Sequence, residues 1–298
     1  MPDIDVERSV SPTLRTRSAG QTVMLKCLAV QDDAPQRGRL ARALGHSPLH
    51  PDAVTWYADA VAELETGRRL DALGAGFTVF HSLPIGDATA YGAVDVDADA
   101  DHDRNRDRDR DAAPATEVEH LVIGRSGIFC LISTRTRSVT AEQVDAVAHQ
   151  ARQVSTHLSR ALQRVVPVTP LLVIVGGAES KTAFPRASAP ATEPGVELID
   201  SRALAAWFAK RGPVLTTAEL ATVALAAEQP TTWNVPADAL EETTAVTDFS
   251  ELRSEVDAAA DREHVALTVA TATAVIVMLA SAAVIVSATS GLLQLAGH

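Results

Sequence analysis

The sequence predicts a mixed α/β domain, with a central sheet flanked by helices, and one apolar helix near the carboxyl end. Three observations lead to this fold class. Apolar runs of strand length alternate with segments in which apolar residues recur every three or four positions. Two of the runs are joined by a four-residue turn, and a long stretch without Asp, Glu, Lys or Arg follows Glu263. The order helix, strand, hairpin, helix, strand, helix is typical of a mixed α/β domain.

The first 50 residues are interpreted as an extension that precedes the domain and is partly disordered. Residues 1–20 are polar, contain Pro and Ser, and show no periodicity. The opening residues also lack the apolar run of a secretory signal peptide. The short apolar run at 23–30 is interpreted either as a strand or as a packed arm.

A helix is predicted from Asp52, because apolar and small residues form one stripe along it. The stripe consists of Trp56, Ala60, Leu64, Gly67, Leu70 and Leu73. Gly74 and Gly76 end this helix. The apolar run at 77–83 then predicts a strand.

The stretch 94–111 alternates Asp first with small residues and then with Arg. Its opening matches a calcium-binding loop, but such a loop also needs Gly at its sixth position and Glu at its twelfth. Counting from Asp95, these positions hold Ala100 and Arg106. We therefore interpret residues 94–116 as a solvated, disordered insert in the domain.

The central part of the sequence predicts a hairpin, a helix and two strands. The runs 118–123 and 128–133 flank the turn 124–127 and form the hairpin. A helix with one apolar face is predicted at 141–162. The unbroken apolar run 171–175 suits a buried strand, and 197–200 suits an edge strand.

Two more helices close the predicted domain. Asp200 or Ser201 caps the first, which stops at Gly212 and Pro213. The pattern Thr216-x-x-Glu219 is a capping box and opens the second helix, which reaches about residue 227.

The carboxyl-terminal region predicts a membrane anchor. Residues 234–263 are polar and acidic and are interpreted as a linker. A single transmembrane helix is predicted at 264–287, since a span needs about 20 apolar residues, and a short tail follows at 288–298. Because Arg253 and Arg262 precede this segment and no Lys or Arg follows it, we expect a single-pass protein of the cell membrane whose soluble domain faces the cytoplasm.

The charge distribution limits the partners that the chain can have. The net charge of −12 argues against a broad nucleic-acid-binding surface. Residues 118–213, however, contain 11 Lys and Arg against 7 Asp and Glu. Arg152 and Arg160 share one helix face there, which is either an ordinary solvated face or a phosphate-binding site. The two cysteines, Cys27 and Cys130, fit a reducing compartment and predict neither a disulfide framework nor a structural zinc site.

Common catalytic motifs are missing from the sequence. It contains no Walker A motif, no G-x-G-x-x-G and no H-E-x-x-H. Ser126 lies in GRSG, which is not a G-x-S-x-G elbow, so we interpret it as a turn residue. His120 is interpreted as a half-buried strand histidine, in preference to a metal ligand or a base.

Four stretches occur in a fixed order along the chain, namely residues 56–83, VEHLVIGRSGIF at 118–129, ELIDSRALAAWFAKRGPVLTTAEL at 197–220 and EQPTTW at 228–233. Together they resemble the nuclease-related domain (NERD) family, most closely its actinobacterial branch. The resemblance covers roughly 52–233 apart from the Asp- and Arg-rich insert. It implies a restriction-endonuclease-like fold, in which acidic side chains on adjacent strands hold a divalent metal and a Lys orients the attacking water.

The resemblance implies roles for two carboxylates. Glu63 matches a helix Glu of the family, and Glu119 matches an Asp that normally precedes a His. Both are candidate vestigial catalytic residues, and Glu119 would bind Mg²⁺ only if the site is active. The alternatives are a surface carboxylate for Glu63 and a pair with a nearby Arg for Glu119.

The family pattern breaks in the second strand of the hairpin. Where the family has Glu or Asn, then one residue, then Lys, this chain has Ile132, Ser133 and Thr134. Ile cannot bind a metal and Thr carries no positive charge. A register shift by one would offer Arg135, but Arg is a poor substitute for a Lys that orients water, and the shift would turn the strand faces over. The pattern therefore predicts a degenerate site that needs no cofactor.

Three functions remain open from the sequence. The first is a membrane-anchored, catalytically degenerate NERD-like protein that binds nucleic acid or a protein partner. The second is a Mg²⁺-dependent nuclease with a rearranged active site. The third is a membrane-tethered oligomeric scaffold, because Ala266, Ala270 and Ala274 form a ridge of small residues that favours close helix packing.

Overall fold

The computed structural model of the protein describes residues 13–32, 47–86, 116–135, 139–176, 195–236 and 244–295. The chain divides into two compact units, one made of residues 1–27 and 55–246 and the other of residues 28–54 and 247–298. The predicted insert at 94–116 lies outside the described residues except for Thr116, which begins a strand.

The described elements follow the predicted order. They are α1 (Gln21–Asp32), α2 (Ala53–Asp71), β1 (Phe77–Ile85), β2 (Thr116–Gly124), β3 (Gly127–Thr134), α3 (Ala141–Leu162), β4 (Thr169–Ile174), β5 (Glu197–Asp200), α4 (Leu204–Ala209), α5 (Thr217–Glu228) and α6 (Ala245–Leu295). Short 3₁₀ turns lie at Leu14–Thr16, Ser201–Ala203 and Pro230–Trp233.

The five strands form one mixed sheet in the order β1-β2-β3-β4-β5. The first three strands are antiparallel neighbours, and β3, β4 and β5 run parallel. A parallel neighbour requires a crossover connection, which α3 provides between β3 and β4. The predicted mixed central sheet flanked by helices is therefore confirmed.

Helices cover both faces of this sheet because the side chains of β2 and β3 alternate between two apolar cores. Leu121 and Cys130 pack in one core with Val154 of α3 and Val223 of α5. The other core contains Val122 of β2 and Phe129 of β3. Leu70 of α2 and Leu204 and Phe208 of α4 belong to the same core. The predicted capping box at the start of α5 is confirmed, with Thr216 and Glu219 exchanging side-chain and backbone hydrogen bonds.

The apolar run at 23–30 is helical and not a strand. Gln21, Met24 and Cys27 are buried, whereas Leu25 is exposed. This spacing of three is helical, but the nearly continuous apolar sequence around it concealed the period. Residues 13–27 belong to the same unit as the sheet, and Leu14 lies in its core.

The helix α6 occupies most of the region predicted as linker and anchor. Its first half buries Ala245, Phe249, Leu252 and Ala259, which recur at helical spacing among exposed acidic residues. The predicted transmembrane helix at 264–287 is not found, since no helix within the described ranges has both the length and the apolar character to cross a membrane. Side chains after Met278 lie outside the described part of the chain.

Candidate functional site

The structure brings Glu63 and Glu119 together with two further carboxylates. Asp59 and Glu63 lie one turn apart on α2, and Glu117 and Glu119 are two residues apart on β2. The negative charges of Glu63, Asp59 and Glu117 all act on Glu119. We call these four residues the acidic cluster. Glu63 is only 4% exposed, so the cluster extends into the interior of the domain and is not a surface patch.

Burial and mutual repulsion oppose ionisation within the acidic cluster. Burial, together with the charges of Glu117 and Asp59, raises the pKa of Glu63 to about 8, although Lys26 and a hydrogen bond from the Gly20 backbone oppose this shift. Burial and the charge of Glu63 raise the pKa of Glu119 well above its usual range. Burial also raises the pKa of Asp59. Glu63 therefore stays mostly protonated at neutral pH unless a cation comes close.

Both neighbouring strands depart from regular pairing beside Glu119. The pairing of β2 with β3 ends at His120 and Leu131, and a Glu119 carboxylate oxygen then accepts a hydrogen bond from the Ser133 backbone N–H at 2.6 Å. On the other side, Ser82 of β1 has a φ of +47° and interrupts the pairing with β2. Such left-handed backbone at a non-Gly residue costs about 1–3 kcal/mol and persists where the surroundings fix it.

The positions that would complete a nuclease site have other partners. Ile132 packs beside an apolar cluster that contains Val144 of α3. Thr134 is buried, and its hydroxyl accepts a hydrogen bond from the Gln143 side chain at 3.0 Å. Arg135 is exposed after the end of β3. No positive charge therefore takes the place of the family Lys in this described part of β3.

A chain of hydrogen bonds runs from the surface to the buried end of β3. The Asp71 carboxylate lies 3.0 Å from His81 Nε2, the two Nδ1 atoms of His81 and His120 are 2.9 Å apart, and His120 Nε2 is 3.4 Å from Ser133 Oγ. Asp71 has a 67% exposed side chain, whereas His120 is fully buried.

One arrangement of protons satisfies every pair in this histidine chain, which we define as Asp71, His81, His120 and Ser133. If His81 Nε2–H donates to the Asp71 carboxylate and the ring carries one proton, His81 Nδ1 is an acceptor. His120 Nδ1–H then donates to His81, and the Ser133 hydroxyl donates to His120 Nε2. Burial and the neighbouring His81 hold the pKa of His120 well below its usual range, which keeps this ring neutral.

The sequence does not reveal the histidine chain. His81 and His120 are 39 residues apart and meet because β1 and β2 pair in a register that places them opposite each other. The prediction that His120 is a half-buried strand histidine underestimated its burial. Among the described residues, no group of three or more His, Cys, Asp or Glu side chains could hold a metal ion.

The two predicted binding arginines lie on α3. Both are exposed, and Arg152 borders a groove of about 480 Å³ that Ser155 and Pro167 also line. Burial lowers the pKa of His157, and the positive charge of Arg160 adds to this shift. In the described part of the chain, the positive charges that act on the acidic cluster are those of Arg17 and Lys26, and not those of Arg152 or Arg160.

Comparisons with known proteins found no match to a family model, to a curated protein or to a solved structure. The resemblance to the NERD family therefore rests on the sequence stretches quoted above. The function has to be argued from the acidic cluster, the histidine chain and the exposed arginines.

Proposed function

We propose that this chain is a nuclease-related, restriction-endonuclease-like protein that has lost phosphodiester cleavage and acts by binding. The observation that carries this proposal is the environment of Thr134. Thr134 occupies the position at which the NERD pattern has Lys. Its hydroxyl is buried and accepts a hydrogen bond from the Gln143 side chain. Cleavage in such a site needs a carboxylate cluster that fixes Mg²⁺ and a cation beside the attacking water.

The protonation of the acidic cluster supports the same proposal. Mg²⁺ prefers ionised carboxylate oxygens, whereas Glu63 has a pKa of about 8. One oxygen of Glu119 is already bound to the Ser133 backbone N–H. Glu63 and Glu119 are therefore poor ligands for Mg²⁺ in this arrangement.

The exposed arginines of α3 supply the proposed binding function. Arg152 and Arg160 can contact phosphates through charge alone, which does not require a shaped pocket. They belong to the part of the chain in which positive charge exceeds negative charge. We propose nucleic acid as the bound molecule, with a protein partner as the remaining possibility.

We expect the purified full-length protein to bind DNA or RNA without cleaving it in Mg²⁺ or Mn²⁺. Changing Arg152 and Arg160 together to Ala should flatten the dependence of log affinity on log salt by about 2, because each phosphate contact contributes about one unit. Fluorescence anisotropy at several salt concentrations measures this change. Arg253 and Arg262, two exposed arginines of α6, provide the matched control when changed to Ala.

Two outcomes would reject parts of this proposal. Cleavage that disappears on changing Glu119 to Gln would show an active site. Binding that is unchanged in the Arg152 and Arg160 variant would place the interaction elsewhere. A protein that neither binds nor cleaves nucleic acid would leave a protein partner as the target.

A Mg²⁺-dependent nuclease with a rearranged site is the second candidate function. One observation favours it, namely that Lys26 of α1 acts on Glu63 and so brings an ammonium group to the acidic cluster from outside the hairpin. If this candidate is correct, cleavage should be lost in both the Glu119→Gln and the Lys26→Met proteins.

Attachment to the cell membrane through residues 264–287 stays a prediction from the sequence, as does the oligomeric scaffold built on Ala266, Ala270 and Ala274. We expect full-length protein to fractionate with membranes, and the pair of changes Val277→Arg and Met278→Arg to release it. Each Arg or Lys at the centre of a span costs about 2.5–3.5 kcal/mol. Full-length protein that is soluble without detergent would reject the anchor.

A further inference from the structure

Three connections lie at the end of the sheet where the parallel strands begin, and we call them the amino-end loops. They are the β2–β3 turn at 125–126, the α3–β4 connection at 163–168 and the α4–α5 connection at 210–216. The backbone N–H groups of Val214 and Leu215 donate to the Arg125 carbonyl at 2.8 and 3.0 Å, which joins the third loop to the turn. An ion pair of 3.4 Å between Arg164 and Glu219 joins the second loop to α5, directly after the third.

The amino-end loops are positively charged and contain no Asp or Glu. Their cations are Arg125, Arg164, Lys210 and Arg211. Two of these charges are neutralised from outside the loops, because Arg164 pairs with Glu219 and Arg211 pairs with Glu197 at the start of β5. The other two cations are exposed and form no ion pair with any described residue. This end of the domain is therefore positive on a chain whose net charge is −12.

The same loops expose two aliphatic side chains. Val165 is 86% exposed and Val214 is 70% exposed, which are the largest values among the large apolar residues of the described ranges. The residues beside them are held by the domain, since Val166 is buried in an apolar core and Leu215 packs against the same core. The two valines therefore project from a fixed base.

Exposed aliphatic side chains next to unpaired cations match the surface of an anionic bilayer. Such a surface attracts Lys and Arg, and its interfacial region takes up apolar side chains. A nucleic-acid backbone would satisfy the positive charges, but its phosphate contacts are polar and gain nothing from two valines. The exposed valines therefore favour a lipid surface over a nucleic acid at this end of the sheet.

We propose that the amino-end loops dock the domain on an anionic lipid bilayer, with the two valines among the headgroups and the unpaired cations against lipid phosphates. This inference goes beyond the proposed binding of nucleic acid, because it uses neither Arg152 nor Arg160. It is also separate from the anchor predicted at 264–287. An anchor would keep the chain at a membrane of any charge, whereas the loops would hold one end of the domain against an anionic surface.

A fluorescent label on the loops tests this docking in the full-length protein. Both native cysteines are buried, so Val165→Cys offers the one exposed thiol among the described residues for an environment-sensitive dye. We expect its emission to shift to the blue with vesicles of phosphatidylcholine and phosphatidylserine, and to stay unchanged with phosphatidylcholine alone. The shift should weaken as salt rises, since exposed charges are screened over about 10 Å at 0.1 M. If this variant does not fold, Val214→Cys provides the second labelling position.

A label at the opposite end of the sheet is the positional control. Ala203 is exposed and follows the carboxyl end of β5. Because the proposed docking leaves that end in water, a dye on Ala203→Cys should give no blue shift with either kind of vesicle.

Removing charge from the loops should weaken the interaction with the anionic vesicles. In the labelled protein, changing Arg125 and Lys210 together to Ala should lower the affinity about 25-fold, since each basic residue at such a surface contributes about fivefold. The backbone bonds to the Arg125 carbonyl do not depend on its side chain, so the loops should keep their arrangement. Arg135 and Arg202, two exposed arginines at the carboxyl ends of β3 and β5, form the matched control. Their change to Ala removes the same charge and should leave the affinity nearly unchanged.

Four results would overturn the proposal. The first is no blue shift with the anionic vesicles. The second is an equal shift with both kinds of vesicle, which would assign the membrane contact to the anchor. The third is an equal loss of affinity in the two double-Ala variants, which would show attraction by overall charge. The fourth is the same shift with DNA or RNA in place of vesicles, which would assign the loops to nucleic acid.

Discussion

Replacing Glu63 by Gln is expected to raise the Tm by about 5–10 °C at pH 9 and to leave it almost unchanged at pH 4. Burial and the neighbouring carboxylates raise the pKa of Glu63 from 4.5 to about 8. Keeping a buried carboxyl in a site that disfavours its charge costs free energy whenever the unfolded chain would ionise. Gln has nearly the same shape and carries no charge, so it removes this cost.

The direction of this pH dependence of stability follows from the pKa values of Glu63 in the unfolded and folded states. Below pH 4.5 the carboxyl is protonated in both the folded and the unfolded states, so it has no effect on stability. Between pH 4.5 and about 8 the unfolded state releases its proton while the folded state keeps it, and stability falls as the pH rises. One pKa unit corresponds to about 1.4 kcal/mol. Part of the shift is shared with Glu119, which leaves an expected gain of a few kcal/mol for the Gln variant.

Glu65 on the same helix is a matched control, because its substitution is expected to change stability in the opposite direction. Although burial raises its pKa, hydrogen bonds and ion pairs from Arg68 and Arg69 outweigh this and lower it. Glu65→Gln should therefore lower the Tm slightly at pH 7, with the difference vanishing as the pH falls below the usual carboxyl range. Circular dichroism melts at several pH values measure both variants. A Glu63→Gln protein that is less stable than the wild type at pH 9 would mean that an ionised Glu63 is needed, as a cation-filled site requires.

The sequence predicts most of the sheet because its signals are local. The hairpin is marked by two apolar runs around Gly124 and Gly127, and α5 by the capping box at Thr216. The helix α1 and the first half of α6 were not predicted, for opposite reasons. In α1 the apolar run is so continuous that its period of three is hidden, and in α6 the acidic composition hides the buried stripe of Phe249 and Leu252.

The sequence predicts a member of the acidic cluster only where a single residue matches a known family pattern. Glu63 and Glu119 could be selected by their match to a pattern, and the structure brings them together. Glu117 is not distinguishable in the sequence from an ordinary solvated strand residue. Gly20 and Lys26 act on Glu63 only because tertiary packing places their segment beside α2, and such packing has no local sequence signature.

Ser133 joins the acidic cluster to the histidine chain. Its backbone N–H donates to Glu119, and its hydroxyl lies next to His120. A change in the position of β3 would therefore act on both groups of side chains at once. This makes His120 the residue whose loss should affect the site and the fold together.

Changing His120 to Ala is expected to destabilise the protein by about 3–5 kcal/mol. The ring is fully buried, so its removal leaves a cavity. It also leaves His81 Nδ1 without its 2.9 Å partner, and an unsatisfied buried polar group costs about 1–3 kcal/mol. Urea unfolding measures the loss. His149 of α3 is exposed and provides the control, since its change to Ala should stay within about 0.5 kcal/mol.

A double-mutant cycle separates the hydrogen-bonded pair from the packing of the two rings. His81→Leu and His120→Leu each keep most of the side-chain volume but leave one buried nitrogen unpaired, whereas the double variant removes both nitrogens together. Because the two changes share one lost contact, their combined cost should be smaller than the sum of the single costs by about 1–2 kcal/mol. Strictly additive costs would show that the two histidines pack side by side without the directed hydrogen bond that links Asp71 to Ser133.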